Sequence, residues 1–166
     1  MGEIKLEDIR IRDDLQMGDI SYIMYLQSMY YSIERNWKQG FEEYVLASAV
    51  EFLQGFNPAR DHVWIAEYDG RIVGSMALKD RGEAAQLRYL IVLPECRGCR
   101  LGKKLFTMSI DFAREVGYKK VWLATEAGCS TAVPMYERLG FVRTGEHVND
   151  LWADEPVLEL EYELEL

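Results

Sequence analysis

The feature that most constrains this chain is a strand, a glycine- and cation-rich loop, a helix and a second strand in immediate succession. Residues 86–93 are rich in β-formers and stop at Pro94, a residue that cannot donate to a sheet ladder. Leu101, Leu105, Met108, Phe112 and Val116 then recur at helical spacing, which predicts a helix over 97–116 with Gly117 closing it. Residues 119–125 read as the next strand. Such a passage within one sheet makes a right-handed crossover and leaves its two strands parallel.

The flanking segments add antiparallel strands. Residues 5–12 alternate as a first strand, and Asp19 is placed to cap a helix carrying Ile20, Ile23, Met24 and Leu26. A second helix is expected over 41–52. The dipeptide Asp69-Gly70 joins strands 62–68 and 71–78 as a hairpin. A short helix is expected over 131–139, where capping by Thr131 leaves Pro134 in the first turn and without a lost hydrogen bond. A strand over 141–144 follows. The tail 158–166 alternates Leu or Tyr with Glu, and its glutamates are expected on a solvated outer face. This terminal strand would offer an edge to a second copy of the chain. The expected fold is α/β, a mostly antiparallel mixed sheet with one parallel pair and helices on both faces. Its 166 residues are expected to form one domain.

Composition narrows the function classes. A formal charge of −9 disfavours nucleic acid and anionic membrane as partners and mildly favours a cationic ligand. The N-terminus carries no apolar leader, and no run approaches the ~18 apolar residues of a membrane span. With three cysteines and no leader, reduced thiols in a cytoplasmic setting are expected.

The chemistry concentrates at 88–104, where Arg88, Arg97, Arg100, Lys103 and Lys104 face a single acid, Glu95. Glycines at 98 and 102 let backbone approach an oxyanion, and a helix start supplies free N–H groups and positive dipole. Together these predict a phosphate seat. Neither GxxxxGK[ST] nor a strand-borne GxGxxG is present, which argues against the common nucleotide loops. Cys96-x-x-Cys99 lacks the further ligands of a zinc site, with only Cys129, His62 and His147 elsewhere, so no metal is expected. His62 and His147 are expected to be structural residues.

The loop Arg97-Gly98-Cys99-Arg100-Leu101-Gly102 resembles the [Q/R]-x-x-G-x-[G/A] loop of GNAT-type N-acetyltransferases, with Arg100 in place of the middle glycine. Leu90-Ile91-Val92-Leu93-Pro94 is similar to the family's fourth strand, 121–125 to its splayed fifth, and Tyr136 with Leu139-Gly140-Phe141 to its fourth-helix signature. Residues 85–89, Leu151-Trp152 and 161–166 further resemble the acetyltransferase domain fused to MarR-type regulators. The chain leaves no room for a winged helix, so a standalone form is expected. The resemblance implies a GNAT-like acyl-CoA N-acyltransferase fold and acetyl-CoA as co-substrate. Its pantetheine would lie along Leu90, Ile91 and Val92. Its diphosphate would be held by residues 97–103, that is Arg97, Gly98, Cys99, Arg100, Leu101, Gly102 and Lys103. Cys129 stands where some relatives contact CoA with Asn.

Direct acyl transfer to a primary amine, on a small molecule or a peptide, would follow. Proton traffic is the demanding part. An alkylamine of pKa about 10.4 is neutral to only ~0.04% at pH 7, a deficit of about 4.6 kcal/mol. The resemblance implies Tyr136 as the acid that protonates the departing thiolate. The carboxylate positions of relatives fall on Gln86 and Ala124, which do not titrate, and Glu126 is the candidate base. The rival reading is an acyl-CoA sensor with little turnover; a CxxC oxidoreductase is a third.

Overall fold

In the computed structural model, which describes residues 4–166, seven strands form one mixed sheet flanked by four helices. The strands are β1 (Arg10–Arg12), β2 (His62–Tyr68), β3 (Arg71–Arg81), β4 (Ala84–Val92), β5 (Lys120–Glu126), β6 (Val142–Asn149) and β7 (Val157–Glu165). The helices are α1 (Asp19–Arg35), α2 (Gln39–Gln54), α3 (Leu101–Val116) and α4 (Ala132–Arg138). The amino-terminal expectation partly concerns residues 1–3, which lie outside the described residues.

Strand order is β1-β2-β3-β4-β5-β7-β6, and every pairing is antiparallel except β4 with β5. The strand–helix–strand crossover through α3 is the cause of that one parallel pair. Period-2 alternation splits the core between two faces. Val63, Ile65 and Ala77 pack under α1 and α2 with Ile23, Phe41 and Phe52. Trp64, Ala66, Met76 and Leu78 pack on the other face with Leu101, Leu105 and Phe106 of α3 and Tyr136 of α4.

Several local expectations are corrected. Residues 5–12 are not one strand: a 3₁₀ turn at Leu6–Asp8 precedes the short β1. Asp19 is no cap. The cap position is Gly18, and the Asp19 carboxylate takes a two-pronged bond from buried Arg12, at 2.9 and 2.7 Å. A buried guanidinium needs that partner more than a helix end does. The α3 helix starts at Leu101 rather than 97, because Pro94–Cys96 form a 3₁₀ turn and Arg97 is extended. The strand expected at 141–144 runs on to Asn149.

The terminal strand is not an edge. β7 is paired on both sides, by β5 and β6, and the edge strands of the sheet are β1 and β6. Its glutamates are not uniformly solvated either. Glu165 is exposed, Glu163 pairs with Lys120 at 3.0 Å, and Glu159 is buried. Alternation assigns the four to one face. That face is open at one end of β7 and closed at the other.

Candidate active site

Two strands that begin as neighbours and then part create the site. β4 and β5 share only the register pairs Ala84–Lys120, Ala85–Val121 and Gln86–Trp122. Beyond them β4 continues to Val92 and β5 to Glu126 without pairing. The parting leaves facing backbone groups free of a ladder and opens a cleft between them.

A bulge shapes the β4 wall. Tyr89 adopts φ +56°, and neither Tyr89 nor Leu90 has a register partner on β3. The Ser75 hydroxyl donates to the Tyr89 carbonyl at 2.6 Å and fixes the bulge. The Tyr89 phenol meets Ser48 of α2 at 2.9 Å.

The start of α3 sits beside the end of β4, with Gly102 close to Val92. Leu101 is buried, and its side chain reaches Gly74 of β3, where an added Cβ would stand 3.0 Å from both Leu101 and the Ile91 carbonyl. Glycine at 74 thus lets the first turn of α3 sit directly on the sheet. Arg100, the residue before that turn, takes φ +69°. The missing middle glycine of the loop therefore occupies a left-handed position, and an arginine bears its strain. Arg100, Lys103 and Lys104 are exposed and ion-paired to no described residue. Arg97 behaves differently. It turns toward α1, 3.4 Å from Glu34 and 5.3 Å from the Tyr30 ring centre. Cys96 is buried and burial pushes its thiol up, the opposite of a reactive cysteine; Cys99 donates to the Cys96 carbonyl.

Tyr136 lines the cleft from α4 and is 5% exposed, packed on Phe106, Phe141 and Tyr162. Burial pushes its phenol well above the ordinary value, so it stays protonated across the usual pH range. Thr131 caps α4 and puts Pro134 in its first turn, as expected, though its hydroxyl makes no capping bond. Glu126 also lines the cleft. Its carboxylate accepts from the Gly128 N–H at 3.0 Å, lies 3.5 Å from Arg35 of α1, and faces the Cys129 thiol at 3.5 Å. These contacts brace the turn after β5. Burial and Glu126 push the Cys129 thiol up. Gln86 serves as an anchor, its amide oxygen accepting from Arg81 at 3.1 Å and Arg88 at 2.9 Å, and Ala124 is exposed in the cleft wall.

The far end of the cleft is aromatic. Tyr31, Trp37, Phe41, Tyr44 and Trp152 line it in mutual contact, with Tyr31 stacked on Trp37 at 4.3 Å and Tyr44 5.0 Å from Trp152. These aromatic side chains serve core and cleft together. Trp152 hangs from the loop between β6 and β7, whose carbonyl takes the Lys38 N–H at 2.5 Å. The loop passes so close to Gly40 that a Cβ there would collide with the Leu151 carbonyl.

Sequence reasoning missed two residues of this cleft, Gln27 and Glu159. Gln27 is buried one turn from Tyr31 on α1, with an amide nitrogen that has no partner. Glu159 enters from β7. Neither carries a local motif; an (i, i+4) pair of polar residues on an apolar helix face was the one available signal for Gln27. Burial raises the Tyr31 phenol well above the ordinary value.

The model of the acetyltransferase (GNAT) family matches residues 24–141. The chain belongs to that family. It is 33% identical over 103 residues to the Escherichia coli protein named uncharacterized N-acetyltransferase YjgM, covering 60% of this chain and 59% of that one. It spans less than two thirds of the length of the curated relatives it matches first. In structure it is similar to an acetyltransferase of Streptococcus agalactiae, with a TM-score of 0.74, 22% identity and coverage of 97% and 100%. A GNAT family acetyltransferase of Elizabethkingia anophelis, solved with acetyl-CoA bound, superposes with a TM-score of 0.67 at 17% identity, covering 96% of this chain and 99% of that one. Among the described residues, no helix is long and apolar enough to cross a membrane, and no cluster of three or more metal-binding side chains occurs.

Proposed function

We propose that the chain is an acetyl-CoA-dependent N-acetyltransferase acting by direct transfer on a primary amine. The observation that carries this reading is the parting of β4 and β5, which opens a cleft lined by Leu90, Phe106 and Tyr136 together with aromatic side chains and Glu159. The start of α3, whose Arg100, Lys103 and Lys104 pair with no described residue, packs on the same sheet at Gly74. The residues present fit acetyl-CoA. Free amides at the first turn of α3, with Arg100 and Lys103, suit a diphosphate. The bare β4 edge at Leu90, Ile91 and Val92 suits the amide-bearing arm. Gly98, Cys99, Leu101 and Gly102 supply backbone, Arg97 a second-rank charge, and Cys129 packing only.

Bound acetyl-CoA supplies an activated thioester. The chain's part is to place and polarise it. The Leu90 amide, which lies outside the β3 ladder, is positioned to donate to the thioester oxygen as charge develops there. Tyr136 holds a proton at its phenol for the departing sulfur and recovers one from the acylated nitrogen. Glu126 orders the turn that carries Cys129 and α4. The aromatic end admits the acceptor, and the negative charge of the chain favours a cationic one.

The test is incubation of the purified protein with acetyl-CoA and a panel of primary amines, with free thiol measured. Acceptor-dependent thiol release supports the transferase. Tight acetyl-CoA binding with no release across the panel supports the sensor instead.

A further inference from the structure

The base positions of the family resemblance hold Gln86 and Ala124, yet the cleft contains a second carboxylate that no motif marks. Glu159 on β7 lines the cleft, and its side chain is 8% exposed. Its oxygen lies 2.7 Å from Nε2 of His147 on β6 and accepts from the Asn149 side chain at 3.2 Å. The His147 ring is 52% exposed, on the outermost strand of the sheet. The pair therefore spans the sheet edge, with the carboxylate in the cleft and the imidazole in water.

The surroundings separate the roles of the two acids. Glu126 and Glu159 are direct register partners on β5 and β7, an arrangement that is unfavourable for two bare charges. Each has its own basic partner. Glu126 has Arg35, a permanent charge, and is further tied to the turn by the Gly128 amide. Glu159 has His147, whose ring nitrogens can both accept and donate a proton. Tyr44 of α2 and Arg88 of β4 line the same cleft as Glu159, and both charges act on the Tyr44 phenol. Asn149 from β6 adds a neutral donor.

We propose that Glu159 and His147 form the proton exit of the transferase site: Glu159 takes the proton of the acceptor ammonium, and His147 passes it to solvent. The inference rests on the transferase reading above. In balance, the ammonium N–H bond breaks and a Glu159 O–H bond forms, leaving a neutral amine with its lone pair free. The Glu159 proton then moves to unprotonated Nε2 of His147. The ring, now a cation, loses a proton to water and returns to its starting state. One proton leaves for each amine acylated, and no redox partner is involved.

The test uses the full chain with acetyl-CoA and the amines L-lysine, L-alanine amide, 1,4-diaminobutane and phenethylamine, reading thiol release from pH 6 to 10. Acetyl-CoA affinity is measured in parallel by calorimetry, and folding by thermal melts. Glu159→Gln is expected to keep its fold and its acetyl-CoA affinity while kcat/KM falls by about 10²-fold or more at pH 7. Its rate should climb with pH toward the amine's own value instead of levelling earlier. His147→Ala should lose less, shift the acid limb, and recover with added imidazole in proportion to its concentration. A Glu159→Gln rate within about threefold of wild type, against the 10²-fold or more of a general base, overturns the relay and leaves the transferase standing. So does a His147→Ala loss that imidazole does not restore. A wild-type protein that binds acetyl-CoA and turns over none of the amines overturns the transferase reading, and the relay with it.

Discussion

Ser75 and Tyr89 hold the site open. The fully buried Ser75 hydroxyl donates at 2.6 Å to the carbonyl of a tyrosine in the left-handed region. That bond secures the bulge that takes Leu90 out of the β3 ladder. Ser75→Ala leaves a carbonyl short of its donor, which costs about 1–3 kcal/mol when buried. The expected outcome is a lower melting temperature and a drop in kcat larger than the change in acetyl-CoA affinity. Steady-state kinetics beside calorimetry checks it; an unchanged kcat would mean the bulge is not needed for chemistry.

Tyr136→Phe removes the proton donor and keeps the packing on Phe106 and Tyr162. Turnover is expected to fall by about 10²-fold, with acetyl-CoA affinity nearly unchanged. Because burial raises the phenol's proton affinity, the wild-type rate should show no alkaline loss from this group below pH 9. A variant as fast as wild type would remove Tyr136 from the mechanism.

Arg100 separates strain from charge. Arg100→Gly relieves a left-handed φ of +69° and removes a cation. Left-handed strain of roughly 1–2 kcal/mol is offset in part by the ~0.5–1 kcal/mol that glycine loses in conformational freedom. The variant should be as stable as wild type or slightly more so, yet bind CoA more weakly. Arg100→Val, β-branched at the same position, should be destabilised by about 1–3 kcal/mol. Melts and CoA titration of both variants check the pair of expectations. Equal CoA affinity in Arg100→Gly would take the Arg100 charge out of the seat.

Gly40 tests the acceptor end. A methyl at 40 collides with the Leu151 carbonyl, so Gly40→Ala must displace the loop carrying Trp152. Displacing Trp152 is expected to raise the acceptor KM by roughly tenfold, about 1.4 kcal/mol of lost binding. The acetyl-CoA KM should not move, because none of the residues proposed to hold the diphosphate lines the cleft beside Trp152. Equal rises in both KM values would mean the loop does not belong to the acceptor site alone.

What the sequence reveals here follows the range of the forces involved. Asp69-Gly70 and the stripe from Leu101 to Val116 are local signals, and the hairpin His62–Tyr68 with Arg71–Arg81 and the helix Leu101–Val116 lie where those signals put them. The parallel pair follows from one topological rule applied to that stripe. The start of α3 is misjudged by four residues because only the packed sheet shows Arg100 in a left-handed position. The bulge at Tyr89 needs Ser75, fourteen residues away. Alternation in β7 sorts residues by face correctly. It does not reveal that Glu159 lines one cleft with Tyr44 and Trp152, since that cleft joins segments distant in sequence.

Glu51 gives a prediction in pH. Its carboxylate accepts from Arg81 at 2.8 Å and Arg88 at 2.6 Å, and Arg81, then Arg88, hold its proton affinity down to about 2. The folded value lies below the unfolded one, which is near 4.3 for a glutamate. The pair therefore contributes stability above that unfolded value and loses it as pH falls from about 5 toward 2. Glu51→Gln is expected to melt below wild type at pH 7, with the gap closing through that window. Since Glu51 is 45% exposed, the gap should be modest and shrink in high salt. Melts at pH 7, 4 and 2.5, in low and high salt, read it directly. A gap constant across the range would mean that Glu51 acts by packing rather than charge. The same substitution frees Arg88, which lines the cleft, so an altered preference among charged acceptors should accompany the lost pH dependence.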